Sequence, residues 1–230
     1  MRTGQDKIEG NLYGSVQAAE TEQTAVWKSD FGREYTDRNT LSPEALDALY
    51  LKNYGVSRSA INESALRNIK QHAGLLEVGC NTGNQLLLLQ KMGYANLSGI
   101  ELQPYAFEIA QQRLPAVSLK LGSATAIPYA DSSFDVVFTS GVLIHISPDD
   151  LPRAMDEIHR CSRTYIWGLE YYAREVAEVC YRGHDGLLWK MDYAARYLER
   201  YPDLALVSEQ RLPYLEGSNV DTVFVLKKRG

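Results

Sequence analysis

The residues best equipped to hold a ligand cluster between positions 77 and 101: the run Glu77-Val78-Gly79-Cys80-Asn81-Thr82-Gly83-Asn84, and then Glu101, 22 positions after Gly79. Glycine at a strand-to-helix turn permits positive φ and lets a ligand approach the main chain. The free N–H groups opening the following helix add hydrogen-bond donors. A carboxylate ending the next strand can accept both hydroxyls of a ribose. These residue types predict a site for a nucleoside-containing cofactor. The dinucleotide pattern GxGxxG needs glycine at 79, 81 and 84, but Asn stands at 81 and 84, which disfavours a nicotinamide-dependent oxidoreductase. The Gly-Lys-Ser/Thr of a Walker A loop is also absent.

The elements positioning these residues follow from apolar periodicity. Leu75 to Gly79 is a short apolar run ending in Gly, Leu86, Leu87 and Leu89 follow on a helix, and Leu97 to Glu101 forms a second strand. Strand, helix and strand in about 30 residues make a βαβ unit. The alternation continues with a helix from Pro104 to Arg113, strands near 117–121 and 134–140, a Ser147-capped helix to Cys161, and a strand over 165–169. After an irregular aromatic stretch come a helix near 191–200 and two strands, 204–212 and 220–227, which could close the sheet antiparallel. Upstream, Ser42-Pro43-Glu44 marks a helix start, and Ile61, Ala65, Leu66 and Ile69 recur at helical spacing. The expected fold is α/β: a Rossmann-like, doubly wound, seven-stranded and mostly parallel sheet with an N-terminal helical cap. Residues 1–24 read as an arm and 25–230 as a single domain. Within it lie a cap (25–72), a cofactor-binding core (73–170), an acceptor-side insertion (171–203) and closing strands (204–230).

Composition narrows the setting. The 230 residues carry 24 Lys+Arg against 29 Asp+Glu, a formal net charge of −5 that argues against a main role on nucleic acid. No apolar run approaches the roughly 20 residues of a membrane span. Three cysteines without CxxC spacing, and no basic-then-apolar leader, predict a cytoplasmic protein without a disulfide framework or structural metal site. The composition leaves oligomeric state open. Tyrosine is in excess: eight of the 15 lie between Tyr165 and Tyr214.

Four segments in order resemble the class I S-adenosylmethionine-dependent methyltransferases: 75–83, 99–102, 122–137 (Gly122 to Pro128, then Ser133 to Val137), and 139–146. Glu77, Gly79 and Gly83 match the family's acid-x-Gly-x-Gly-x-Gly pattern, with Asn81 replacing the middle Gly. The resemblance implies that S-adenosylmethionine is the cofactor and S-adenosylhomocysteine the product. It implies that Gly79, Cys80, Asn81 and Gly83 hold the methionine and ribose portions, that Glu101 takes the ribose hydroxyls with Leu102 beside adenine, that Ser123 and Ala124 sit at the adenine, and that Ser140 contacts the methionine part. Ser123 stands where an Asp commonly accepts from the adenine amino group, so that bond is weakened or made through water. Asn tolerates the positive φ of the replaced Gly better than most residues. Trp27, Phe31-Gly32-Arg33-Glu34-Tyr35, Arg38-Asn39, Tyr181-Arg182-Gly183-His184 and Tyr201-Pro202-Asp203-Leu204 further resemble the pseudaminic acid biosynthesis-associated methylases.

In this scheme Arg38 is a fork suited to the methionine carboxylate, and Tyr35 closes a lid over the sulfonium. His145, on the loop after the fourth strand, is the candidate general base, with helix capping or loop ordering as its alternative. His184 is the rival. Trp27, Tyr171, Tyr172, Tyr181 and His184 are candidates to line an acceptor pocket, with packing of the cap as the competing use of the aromatics. Cys80 reads as a small fitted residue, and no metal is needed. The expected activity is methyl transfer to an oxygen or nitrogen of a small polar metabolite: a sugar, a nucleotide-sugar or an amino-acid-like compound. The competing reading is a methyltransferase-like module that binds cofactor without transfer and serves as a partner in a biosynthetic complex.

Overall fold

A computed structural model describes residues 21–229, so most of the arm expected over 1–24 lies outside the described residues. Four helices come first: α1 (Glu22–Lys28), α2 (Asp30–Arg38), α3 (Pro43–Tyr54) and α4 (Arg58–Leu66). Each begins with a hydroxyl cap: Thr21, Ser29, Ser42 and Ser57 accept from a backbone N–H in the first turn, and Pro43 opens α3 where a missing N–H costs nothing. Then β1 (Leu75–Val78), α5 (Asn84–Lys91), β2 (Leu97–Glu101), α6 (Pro104–Arg113), β3 (Ser118–Leu121) and β4 (Phe134–Ser140) alternate. The chain continues through α7 (Leu151–Cys161), β5 (Ser162–Tyr171), a two-residue pair β6 (Ala177–Glu178) and β7 (Trp189–Lys190), α8 (Tyr193–Arg200), β8 (Leu204–Pro213) and β9 (Val220–Lys228).

The main sheet has seven strands in the order β3-β2-β1-β4-β5-β9-β8. β1 to β5 run parallel, and β9 pairs antiparallel with both β5 and β8. Strand direction explains the burial. Leu75, Val136 and Phe138 belong to one apolar cluster with Ile61, Leu86 and Trp167, whereas Leu76, Val78 and Val137 belong to a second with Ile158, Tyr197 and Phe224. Alternate residues therefore feed opposite faces, and both faces are covered by helices, as an all-parallel core requires. The order reverses between β1 and β4, which opens a crevice at the carboxyl ends of those strands.

One helix departs from the expected bounds. Leu143–His145 form a 3-10 turn, Ser147 Oγ accepts from the Asp150 N–H at 3.2 Å, and α7 itself starts at Leu151 with Asp150 as N-cap. Ser147 thus closes a turn ahead of the helix, because Pro152 in the first turn already supplies the helix entry.

Candidate functional site

The crevice contains a cavity of about 410 Å³. Its floor is the turn after β1. Gly79, Asn81 and Gly83 take φ of 71°, 46° and 77°. A Cβ on Gly79 would stand 2.7 Å from Val142 Cγ2, so this position excludes any side chain. Asn81 tolerates its left-handed backbone by accepting from the Thr82 N–H through Oδ1 at 2.7 Å. Arg113 fastens the turn from below, donating to the Thr82 carbonyl at 2.7 Å and to Asn84 Oδ1 at 2.8 Å. Asn84 Oδ1 also accepts from the Leu41 N–H at 3.0 Å, tying the floor to the N-terminal helices.

Glu101 ends β2 and is held by two backbone donors, Asn81 N at 2.7 Å and Gln103 N at 2.8 Å. Burial raises its pKa while those N–H groups oppose the shift. Glu77, also buried, is pushed well above the ordinary carboxylate range by desolvation, against the pull of the Arg58 charge. Its Oε2 has no hydrogen-bond partner among the described residues, and neither has Nη2 of Arg58. Arg58 is only 1% exposed. Its Nη1 donates to the Tyr50 hydroxyl at 2.6 Å and to Ser140 Oγ at 3.0 Å, and its Nε to Asn62 Oδ1 at 3.0 Å. Arg58 and Glu77 both line the cavity. Arg58 and Glu77 therefore leave a cationic donor and a carboxyl oxygen unpaired in the wall among the described residues.

The roof is aromatic. Trp27 lies 4.5 Å from the His145 ring, and Tyr35 5.3 Å from Trp27. Tyr181 approaches His145 to 5.3 Å. Gln103 Nε2 donates to the carbonyls of Lys28 and Ser29 at 3.1 and 3.2 Å, pinning the α1–α2 corner over the site. Gln23 donates to the His145 carbonyl and accepts from the Ser147 N–H at 3.0 Å. A side chain at position 32 could not exist, since its Cβ would meet the Trp27 carbonyl oxygen at 1.9 Å. Burial lowers the His145 pKa to about 4. Its Nδ1 is 2.8 Å from the Leu187 carbonyl, which must accept the Nδ1 proton of the neutral ring and so leaves Nε2 as the proton-free nitrogen. Glu170, fully buried, has its oxygens 3.2 Å from Val142 N and 3.4 Å from Ile144 N, and so holds the loop that presents His145. Burial raises Glu170 to about 7.

The expected site residues divide cleanly. Tyr35, Glu77, Gly79, Cys80, Asn81, Glu101, Leu102, Ser123, Ala124, Ser140, His145, Trp27, Tyr171 and Tyr181 all line this cavity. Four others do not. Gly83 caps α5, its Cα packed so closely on Leu114 that a Cβ would lie 2.1 Å from Cδ1. Arg38 sits on the outer side of α2, 3.4 Å from Glu34 one turn back. Tyr172 follows Tyr171 in an extended chain and so faces the other way, with the Arg211 guanidinium 3.4 Å above its ring. His184 packs on Phe31 at 5.2 Å, outside the cavity lining. The buried arginine in the cavity is Arg58, which the sequence reading did not single out. Tyr50, Tyr54, Gln103, Tyr214 and Asp221 were missed as well.

No helix among the described residues is long and apolar enough to cross a membrane. Among them, too, no group of three or more His, Cys, Asp or Glu side chains could hold a metal ion.

Residues 76–164 match a protein-family model described as a methyltransferase domain. Over 105 residues the chain is 31% identical to malonyl-[acyl-carrier protein] O-methyltransferase of Serratia marcescens, a match covering 45% of this chain and 40% of that protein. The chain thus spans about two fifths of the length of this curated relative. Among solved structures, 1,6-didemethyltoxoflavin-N1-methyltransferase of Burkholderia thailandensis, with bound 1,6-didemethyltoxoflavin and S-adenosylhomocysteine, superimposes with a TM-score of 0.69 at 20% identity, covering 94% of each chain. The [4+2]-cyclase SpnF also shares the fold, with a TM-score of 0.62 at 14% identity over 82% of this chain and 96% of that one.

Proposed function

We propose that this chain, which has the class I methyltransferase fold with a methyltransferase domain over residues 76–164, transfers a methyl group from S-adenosylmethionine to an oxygen or nitrogen of a small polar metabolite. The observation that carries this reading is the unpartnered pair in the cavity wall, Arg58 Nη2 and Glu77 Oε2, beside the Glu101 carboxylate. An amino-acid tail has one carboxylate and one ammonium, and a buried donor and a buried acceptor left unpaired are the groups to receive them. Glu101 would take ribose hydroxyls, with Leu102, Ser123 and Ala124 at the base. Bound there, S-adenosylmethionine supplies an electrophilic methyl on a positive sulfur, so the protein need only align the nucleophile and exclude water.

Trp27, Tyr35 and Tyr181 form the water-excluding roof. His145, neutral and with Nδ1 held, would offer Nε2 to a donor of the acceptor. A conjugate acid near pH 4 makes it a weak proton sink. Sugars, nucleotide-sugars and amino-acid-like compounds suit a cavity of this size and mixed polarity. The net charge of −5 favours such acceptors over nucleic acid, and a reducing cytoplasm suits three free cysteines.

Because a [4+2]-cyclase carries the same fold, transfer needs its own test. Calorimetric titration with S-adenosylhomocysteine and NAD, then labelled S-adenosylmethionine with metabolite extracts, would supply it. Binding of the first nucleoside but not the second, with label passing to an extract component, is expected. NAD binding without S-adenosylhomocysteine binding would sink the reading.

A further inference from the structure

Beyond the cofactor end, the cavity reaches a second group of polar side chains. β9 runs against β5, so its first residues lie at the edge where the parallel strands end. Asp221 pairs with Tyr171 there, one strand beyond the β4–β5 pair of Ser140 and Leu169. The cofactor turn lies on the other side of β4. Asp221 is 2% exposed and lines the cavity together with Tyr54, Tyr171 and Tyr214. The Tyr54 hydroxyl donates to Asp221 Oδ2 at 2.6 Å, and the Tyr54 and Tyr214 rings meet edge to face at 4.7 Å. Asp221 Oδ1 has no hydrogen-bond partner among the described residues. Of the nearby cations, Lys190 donates to Asn219 at 2.5 Å, and Arg58 donates through Nε and Nη1 to Asn62, Tyr50 and Ser140.

A buried carboxylate oxygen left unpaired at the acceptor end of a cavity is a costly arrangement unless a ligand's donor completes it. We propose that Asp221 Oδ1 binds the protonated nucleophile of the methyl acceptor, a hydroxyl or an N–H, and takes its proton during transfer, with Tyr54 fixing the carboxylate. The inference rests on the methyltransferase reading and deepens it. As the acceptor's oxygen or nitrogen forms its bond to the methyl carbon, its proton passes to Oδ1. The methyl–sulfur bond breaks, and its electron pair stays on sulfur, which becomes a neutral thioether. The groups facing Asp221 set its proton affinity. Burial raises the carboxyl to about 6, while the hydrogen bond from Tyr54 on α3, the charges of Lys190 on β7 and Arg58 on α4, and the nearby Tyr214 hydroxyl after β8 hold it down. A base of that strength is ionised at neutral pH yet still able to hold a proton.

The test uses the full chain with 13C-labelled aspartate carboxyls, free of ligand. The resonance absent from Asp221→Asn should titrate with a midpoint near 6, and Tyr54→Phe, which removes a donor to the ionised form, should move that midpoint upward. With labelled S-adenosylmethionine and a metabolite extract as probe, Asp221→Asn should lose about 10²–10⁴-fold in methyl incorporation at an unchanged dissociation constant for S-adenosylhomocysteine. Wild-type incorporation by Asp221→Asn, or a rate limb near 4 with none near 6, would overturn the inference, the second by moving the proton to His145. A wild-type chain that fails to bind S-adenosylhomocysteine would instead overturn the methyltransferase reading itself.

Discussion

Replacing Arg58 by Gln tests whether the cavity wall recognises an amino-acid tail. A guanidinium carries five N–H donors. In Arg58, Nε and Nη1 are bound to Asn62, Tyr50 and Ser140, and Nη2 has no partner among the described residues. A buried hydrogen bond from a cation to a carboxylate contributes about 1.5–3 kcal/mol, so its loss should weaken S-adenosylhomocysteine binding roughly 10- to 150-fold. Adenosine has no tail, and its affinity should stay within about twofold, a change of roughly 0.4 kcal/mol. Paired calorimetric titrations of wild type and Arg58→Gln with both ligands read this directly. The variant also removes the cation that lowers the Glu77 pKa, so a higher pH is needed before that acid ionises to receive the tail's ammonium. A thermal melt establishes that the variant is folded. Equal losses for S-adenosylhomocysteine and adenosine would mean that Arg58 only shapes the fold, and no loss for either would remove the tail from this wall.

Other outcomes follow from neighbouring groups. Glu101→Ala should weaken adenosine and S-adenosylhomocysteine alike by about 1.5–3 kcal/mol, part of it through the freed Asn81 and Gln103 N–H groups; unchanged adenosine affinity would place the ribose elsewhere. The His145 ring protons, followed by NMR, should titrate near 4, and a midpoint near 6.5 would show that the imidazole is not buried under Trp27. Glu170 has a folded pKa of about 7 against an ordinary 4.5, so between those values the native state binds more protons than the unfolded chain. Stability from this group therefore falls as pH rises through that window, by about 3 kcal/mol. Glu170→Gln should flatten that slope in urea unfolding at pH 5 and pH 8, and an undiminished slope would assign it to another acid.

Most of the scaffold was readable from the sequence because apolar spacing reports burial. The strands at 97–101 and 134–140 and the helix at 104–113 fall where their patterns end. The glycine turn after β1 was readable because its glycines and acids have few other reasons to occupy that spacing. The arginine was not, and helix geometry says why. On α2, Gly32 and Thr36 are buried and Tyr35 and Asn39 line the cavity. Arg38 is two residues from Thr36, about 200° around the helix axis, so the residue that looked right in type points away. Arg58 heads the stripe Ile61, Asn62 and Ala65 on α4, all buried. A charged side chain at the top of an apolar stripe must find partners in the interior, and that spacing was the available signal. Asp221 had a weaker one. Its strand is otherwise apolar through Leu226 except for Thr222, but which end of the sheet an acid reaches depends on strand direction. Only the antiparallel return of β9 brings Asp221 beside Tyr171 and under Tyr54. A turn shaped by local backbone is thus legible from neighbours in sequence, whereas the Asp221 end of the cavity is assembled from α3, β5, β9 and the turn after β8. Its chemistry exists only once the sheet has closed.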